Sequence, residues 1–102
     1  MEEGNYRQSR LCRLLGNPAA FAVVCLLAEH KEMTRSEIAG AVGRSVSRIS
    51  NVLAALRLAE MVRYDTEGRR AHYRLKHPRE VRRVLDGLAR FVKTASAVRY
   101  EE

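Results

Sequence analysis

The chain has 102 residues, which fits a single domain, and its 46% hydrophobic and 30% charged residues exclude an intrinsically disordered protein. The longest apolar run, residues 18–28, is too short to span a bilayer, and the acidic N-terminus lacks the features of a secretory signal, so we expect a cytoplasmic protein without a membrane partner. A net charge of +7, in which arginine far outnumbers lysine, favours a polyanionic partner such as nucleic acid.

Two helices are predicted in the N-terminal part of the chain. The first extends from Tyr6 to Leu15 with its leucines at helical spacing, and Gly16 is expected to end it in the left-handed conformation. Asn17 is a good N-cap and Pro18 is tolerated in a first helical turn, so a second helix begins here. Because this second helix is apolar on nearly every face, we expect it at the centre of the core.

A short helix, a tight turn and a longer helix follow. Thr34 and Glu37 form a capping box at the start of the third helix, and Gly43 ends it. Ser45 caps the fourth helix, whose apolar residues recur at the i, i+3, i+4 and i+7 positions. This pattern predicts a helix-turn-helix over residues 34–60.

The hydrophobic period then changes from helical to alternating. Residues 61–65 are predicted as a strand, residues 66–68 as a turn and residues 69–75 as the return strand, which together make a hairpin wing over residues 61–75. A last helix over residues 78–98 carries a long apolar stripe. The order α-α-α-α-β-β-α, mainly α with a β-hairpin, predicts a single winged helix-turn-helix domain over the whole chain.

Candidate DNA-binding residues lie at the start of the fourth helix and at the hairpin tip. The planar fork of Arg48 suits a guanine edge and the amide of Asn51 suits adenine, although a solvated helix face gives the same pattern. Arg69 and Arg70 follow the turn glycine Gly68 and suit phosphate or the minor groove, unless they belong to a solvated turn. The predicted DNA-binding residues are Ser45, Ser47, Arg48, Ser50, Asn51, Arg69 and Arg70.

From Leu14 to Leu75 the chain resembles the ArsR/SmtB (arsenic-repressor-like) winged-helix transcriptional regulators. The segments that carry the resemblance are LLGNPAAFAVVCLLAE, SEIAGAVGRSVSRISNVLAALRLAEMV and VRYDTEGRRAHYRL. The resemblance implies a sequence-specific repressor of double-stranded DNA, a homodimer that reads an inverted repeat. It also implies that the helices over residues 6–16 and 78–98 pair across the two-fold axis, and the apolar length of the last helix independently favours such a dimer.

The chain departs from this family at the family's metal-binding positions and at the residue that ends the recognition helix. The family's paired metal-binding cysteines correspond to Thr34 and Ser36, and the last helix has Glu80 and Asp86 but no histidine beyond His77 at its cap. We therefore predict no metal site, and no other cofactor.

The residue that follows the recognition helix is a second departure. The family usually has glycine where this chain has Glu60. Because glutamate disfavours the left-handed conformation, we expect the fourth helix to end differently.

Three alternatives stay open at this stage. Cys12 and Cys25 lie on consecutive helices and allow a thiol- or redox-responsive repressor, although two buried core thiols are the plainer interpretation. The fold also suits a protein-interaction module or a DNA-binding protein of low specificity. An enzyme is not predicted, because the sequence has neither a phosphate-binding glycine loop nor a nucleophile and base motif. The sequence names no effector.

Overall fold

The computed structural model describes residues 2–97. In this part of the chain five helices and one β-hairpin follow one another in the predicted order, which confirms the winged helix-turn-helix fold. The elements are α1 (Glu3–Leu15), α2 (Pro18–Glu29), α3 (Arg35–Val42), α4 (Val46–Leu58), β1 (Val62–Glu67), β2 (Arg70–Leu75) and α5 (Pro78–Ala97). The helix predicted to begin at Tyr6 thus begins earlier, and the predicted end of the last helix at Val98 lies outside the described residues.

The backbone at Gly16, at the junction between α1 and α2, keeps the right-handed conformation. Gly16 has φ −73° and ψ −11°, so the prediction of a left-handed residue is wrong. Its N–H donates to the carbonyl oxygens of Cys12 and Arg13, and a Cβ at this position would lie 3.3 Å from both oxygens. As predicted, Asn17 caps α2, because its side chain accepts the N–H of Ala20 at 3.0 Å.

The hydrophobic core is built around α2, as its composition predicts. This helix packs against α1, α3, α4, α5 and β2, and its Val23 and Val24 are wholly buried. Each fully buried leucine, isoleucine or valine stabilises the fold by roughly 1.5–3 kcal/mol through the hydrophobic effect. The buried apolar residues are Ala19, Ala20, Val23, Val24, Leu27, Ile38, Ala39, Ile49, Val52, Leu53, Leu56, Met61, Val62, Tyr73, Leu75 and Val81.

Side-chain caps define both helices of the predicted helix-turn-helix. Thr34 Oγ1 accepts the N–H of Glu37 at 3.2 Å and Glu37 Oε1 accepts the N–H of Thr34 at 2.9 Å, so the capping box is confirmed. Gly43 ends α3 with φ +78°, a left-handed conformation that glycine adopts without strain. Ser45 Oγ then accepts the N–H of Arg48 at 3.0 Å and begins α4.

The end of α4 is left-handed even though glycine is absent. Glu60 has φ +65°, its N–H donates to the carbonyl of Arg57, and the N–H of Met61 donates to the carbonyl of Leu56, which is the hydrogen-bond pair of a Schellman motif. The expectation that α4 ends differently is therefore wrong. The Glu60 carboxylate accepts a hydrogen bond from Lys76 Nζ, and this contact lowers its pKa below the ordinary value.

Replacing this strained glutamate tests how much the left-handed turn costs. We expect Glu60→Gly to melt higher than Glu60→Ala by at least roughly 4 °C, because glycine alone takes a positive φ without a Cβ clash. Both variants lose the contact with Lys76, so their difference reports on the backbone. Circular dichroism melts at equal protein concentration measure it. Equal melting temperatures would show that the turn relaxes when residue 60 is changed.

The wing is a two-stranded antiparallel hairpin whose turn is displaced from the predicted position. Thr66 and Glu67 belong to β1, and the loop consists of Gly68 and Arg69. Gly68 has φ +64°, while Arg69 has no positive φ. A two-residue loop with glycine first matches the right-handed twist of paired strands.

Two long-range contacts fix the hairpin and α5 to the core. Tyr73 exchanges backbone hydrogen bonds of 2.8 and 3.0 Å with Met33, in the link before α3. Arg82 donates from Nε and Nη2 to the carbonyl oxygen of Ala28, near the C-terminal end of α2, at 3.3 and 3.0 Å. Within residues 2–97 no single helix is long and apolar enough to cross a membrane.

Candidate nucleic-acid interface

The N-terminal half of α4 turns a polar face to solvent. Ser47, Arg48 and Asn51 are exposed, while Ile49 on the opposite side is wholly buried. Ser47 and Asn51 are four residues apart and lie on one helix face. The Arg48 and Asn51 side chains make no hydrogen bond or ion pair with other described residues. Their donors and acceptors are therefore available to an external partner, as base recognition requires.

The two remaining predicted serines have partners within the protein. Ser45 Oγ is the N-cap of α4, so its main contribution is to hold the exposed helix N-terminus, which carries unpaired N–H groups and the positive end of the helix dipole. Ser50 is half-buried, and its Oγ lies 3.5 Å from Nη1 of Arg35, the first residue of α3. Arg35 was not among the predicted site residues, although a basic residue at the start of the first helix of a helix-turn-helix is a usable signal.

Charge pairing distinguishes the arginines of the hairpin. Arg74 pairs with Asp65 across the strands, with Nη2 and Oδ2 3.0 Å apart. Glu67 lies 3.7 Å from His72, a charged contact only if the histidine is protonated. Arg69 and Arg70 are exposed at the tip and make no ion pair within residues 2–97. An external polyanion is the partner that would neutralise them.

A strip of large apolar side chains on α5 is exposed in the described part of the protomer. Val84, Leu88, Phe91 and Val92 are 43% to 70% exposed, although all four are large hydrophobic residues. They follow the helical spacing of one face and continue from the buried Val81. A contiguous exposed apolar surface of this kind marks an interface.

An apolar cleft of about 250 Å³ extends this α5 surface toward α1. Leu11 and Leu15 of α1, Val84 and Leu85 of α5 and Met61 after α4 line it. The cleft therefore joins the two helices that the sequence analysis assigns to dimerisation, and it lies next to the turn that ends the candidate recognition helix.

The two cysteines occupy different environments. Both are free thiols, Cys12 being exposed on α1 and Cys25 half-buried on α2. The expectation of two buried core thiols is wrong for Cys12, because the first helix contributes only one side to the core. Burial and the nearby Glu29 raise the pKa of the Cys25 thiol. A raised pKa lowers the thiolate fraction and hence reactivity, which gives the redox alternative no support at this residue.

Metal-binding side chains do not cluster in the described part of the chain. Among residues 2–97 no group of three or more His, Cys, Asp or Glu side chains is placed to hold a metal ion. Thr34, at a position of the family's thiolate site, is buried and occupied by the capping box.

One family model matches part of the chain. Residues 17–64 match the family model described as "Bacterial regulatory protein, arsR family". These residues include α2, the helix-turn-helix and the start of β1. No curated protein sequence matches the chain.

Solved structures with the same fold come from several bacteria. HlyU from Vibrio cholerae is 25% identical, with a TM-score of 0.77 over 89% of this chain and 97% of that one. Rv0081 from Mycobacterium tuberculosis is 21% identical, with a TM-score of 0.85 over 95% and 96%. A fragment of Mb0332 from Mycobacterium bovis, described as a homodimeric winged helix-turn-helix DNA-binding domain and a possible ArsR-family regulator, is 24% identical, with a TM-score of 0.74 over 100% and 95%.

Proposed function

We propose, because residues 17–64 match the arsR family of bacterial regulatory proteins, that this chain is a transcriptional repressor that binds specific DNA sequences as a homodimer. The observation that carries the proposal is the combination of an exposed polar N-terminal half of α4 with an exposed, unneutralised pair of arginines at the hairpin tip. The family and the fold are those of transcriptional regulators rather than of enzymes. Repression would follow from occlusion of a promoter in the cytoplasm.

The proposed recognition unit divides its contacts between bases and phosphates. Arg48 and Asn51 would read base edges in the major groove, with Ser47 beside them. The N-terminus of α4, held by Ser45, would bind a phosphate through its backbone N–H groups. Ser50 would contact the DNA backbone beside Arg35, since its side chain on α4 lies next to that of Arg35 at the start of α3.

The proposed dimer accounts for the apolar surface of α5. An isologous contact buries the same α5 strip from both protomers. The first helix, α1, would enlarge this interface on each protomer. Two recognition helices related by a two-fold axis then reach successive major grooves about 34 Å apart, so the operator would be an inverted repeat. We assign no metal, cofactor or effector to this assembly.

Competition binding tests the proposed function directly. The probe is labelled duplex DNA from upstream of the protein's own gene, titrated with reduced protein and followed by fluorescence anisotropy in excess unlabelled random DNA. Saturable binding that resists the competitor supports a specific repressor. If the competitor displaces the labelled duplex completely at every salt concentration, the protein is a DNA-binding protein of low specificity. If the labelled duplex is not bound even at low salt without competitor, the result supports a protein-interaction module.

The wing is expected to supply phosphate contacts. Arg69→Ala/Arg70→Ala should weaken binding to all DNA sequences alike and flatten the dependence of log Kd on log salt by roughly 2–4 units per dimer. The matched control, Arg83→Ala/Arg90→Ala, removes the same charge from the exposed polar side of α5 and should leave the slope near that of the unmodified protein. An unaltered slope in the wing variant would exclude the hairpin tip from the interface.

A further inference from the structure

We infer that Arg57 and Tyr64 are positioning residues for DNA binding, because their stacked side chains hold the hairpin at a fixed angle to α4. The inference rests on the proposed DNA-binding function. Neither residue is among the predicted contact residues. They act through the tip residues Arg69 and Arg70, whose distance from the DNA depends on how the hairpin leaves the domain.

The contact consists of three stacked side chains on three different elements. The guanidinium carbon of Arg57, in the last turn of α4, lies 4.6 Å from the centroid of the Tyr64 ring on β1. The Tyr64 ring lies 5.2 Å from the Tyr73 ring on β2, with the planes inclined by 35°. Both separations are within the ranges of favourable cation–π and aromatic pairs.

The stack begins in the core and ends at the surface. Tyr73 is buried, and its backbone is fixed by the two hydrogen bonds to Met33. Tyr64 stands opposite Tyr73 in the strand register, so the two rings share one face of the hairpin. Arg57 covers the outer ring. The recognition helix and the hairpin are thus joined by side chains at this point.

A small rotation of the hairpin at Tyr64 produces a larger displacement at its tip. Gly68 is four positions beyond Tyr64, which at a strand rise of about 3.3 Å per residue is roughly 13 Å. A rotation of about 10° at Tyr64 would move the tip by roughly 2 Å. Hydrogen bonds to phosphate tolerate only about 0.5 Å of variation in length, so the wing arginines would keep these contacts only by taking other rotamers, which weakens binding.

Direct contact of Arg57 with DNA is the competing explanation. The end of α4 that would enter the groove begins at Val46, and Arg57 lies 11 residues further along the helix, a distance of roughly 16 Å. Its guanidinium lies over the Tyr64 ring and not on the exposed helix face that carries Ser47 and Asn51. This position favours an indirect role through the wing.

Combining stack and wing variants tests the inference. The measurements are the Kd for the upstream duplex, or for a selected operator, and its salt slope. Tyr64→Leu and Arg57→Met should each weaken binding about tenfold and flatten the salt slope toward that of Arg69→Ala/Arg70→Ala. The conservative variant Tyr64→Phe keeps the ring and should restore the binding and slope of the unmodified protein. In the wing-variant background, Tyr64→Leu should have no further effect.

Each other outcome has a defined meaning. If the losses from Tyr64→Leu and from the wing variant multiply, the stack does not act through the wing and the inference is overturned. Normal binding and slope in both Tyr64→Leu and Arg57→Met overturn it as well. Arg57→Met changes only an exposed side chain, so it carries the test if Tyr64→Leu fails to fold. If the unmodified protein does not bind DNA, the proposed function itself is overturned. This result differs from normal DNA binding by the stack variants, which overturns only the inference about Arg57 and Tyr64.

Discussion

Leu88→Glu is expected to separate the protomers and thereby abolish specific DNA binding. Leu88 lies at the middle of the α5 strip and is 43% exposed in the protomer. In an antiparallel α5 pair centred there, each Leu88 meets its own symmetry mate, Val84 meets the partner's Val92, and Leu85 meets the partner's Phe91. The strip is therefore self-complementary, as an isologous interface requires.

The size of the effect follows from burying a charge without a partner. An unpaired carboxylate in an apolar interface costs several kcal/mol, and the two-fold axis would bring two of them together. We expect the dissociation constant of the dimer to rise at least about 1000-fold, which is roughly 4 kcal/mol. Sedimentation equilibrium measures this constant, and anisotropy on the same samples follows the loss of DNA binding.

The control for Leu88→Glu is Thr94→Glu. Thr94 is exposed on α5 and lies away from the apolar strip, so the variant adds the same charge without placing it in the interface. Thr94→Glu is expected to remain a dimer. If Leu88→Glu dimerises as tightly as Thr94→Glu, the α5 strip is not the dimer interface.

Arg48→Ala and Asn51→Ala are expected to have the second largest effect, and to change which sequence is bound. A bidentate contact to the correct base is worth about 1–3 kcal/mol per half-site, so each variant should lose roughly 5- to 150-fold in affinity per half-site. Affinity for random duplex should fall far less, because phosphate contacts supply most of that binding. The ratio of the two affinities is therefore the informative quantity.

Single-base variants of the operator identify what each side chain reads. Anisotropy titrations against a panel of substituted half-sites should show that Arg48→Ala no longer discriminates at one position and Asn51→Ala at another. The other positions serve as the internal control, since their preferences should be unchanged. Identical preference profiles for both variants and the unmodified protein would remove the N-terminal half of α4 from base recognition.

Contacts between near neighbours in the chain were predictable from the sequence. The capping box of Thr34 and Glu37 and the caps made by Asn17 and Ser45 each join atoms of residues three positions apart. Such contacts depend on residue type and on helical geometry alone. The exposure of Arg48 follows equally from the 3.6-residue period of α4.

Features that depend on distant parts of the chain were not predictable. The positive φ of Glu60 is held by the neighbouring buried Met61 and by Lys76, 16 residues away. The predicted turn at residues 66–68 gives way to a loop of Gly68 and Arg69 because Thr66 and Glu67 pair with Ala71 and Arg70, a register that a pattern of alternating residues does not record.

In the candidate site, too, features of a single helix were predictable and contacts between separate elements were not. The sequence indicated the proposed contact residues Arg48 and Asn51 because a helix-turn-helix pattern places them at an exposed helix start. It did not indicate the stack of Arg57 on Tyr64, because two residues on separate elements meet only once the hairpin has folded back against α4. It also missed Arg35, which reaches Ser50 through the packing of α3 on α4.

Selection of duplex DNA from a random pool by the unmodified protein tests the central claim most directly. A dimeric, sequence-specific repressor predicts that the enriched sequences contain an inverted repeat whose half-sites are centred about 10 base pairs apart, or a multiple of that spacing, and that a scrambled half-site abolishes the enrichment. A pool that is bound without enrichment of any sequence, or enrichment of a single unrepeated site, would contradict it.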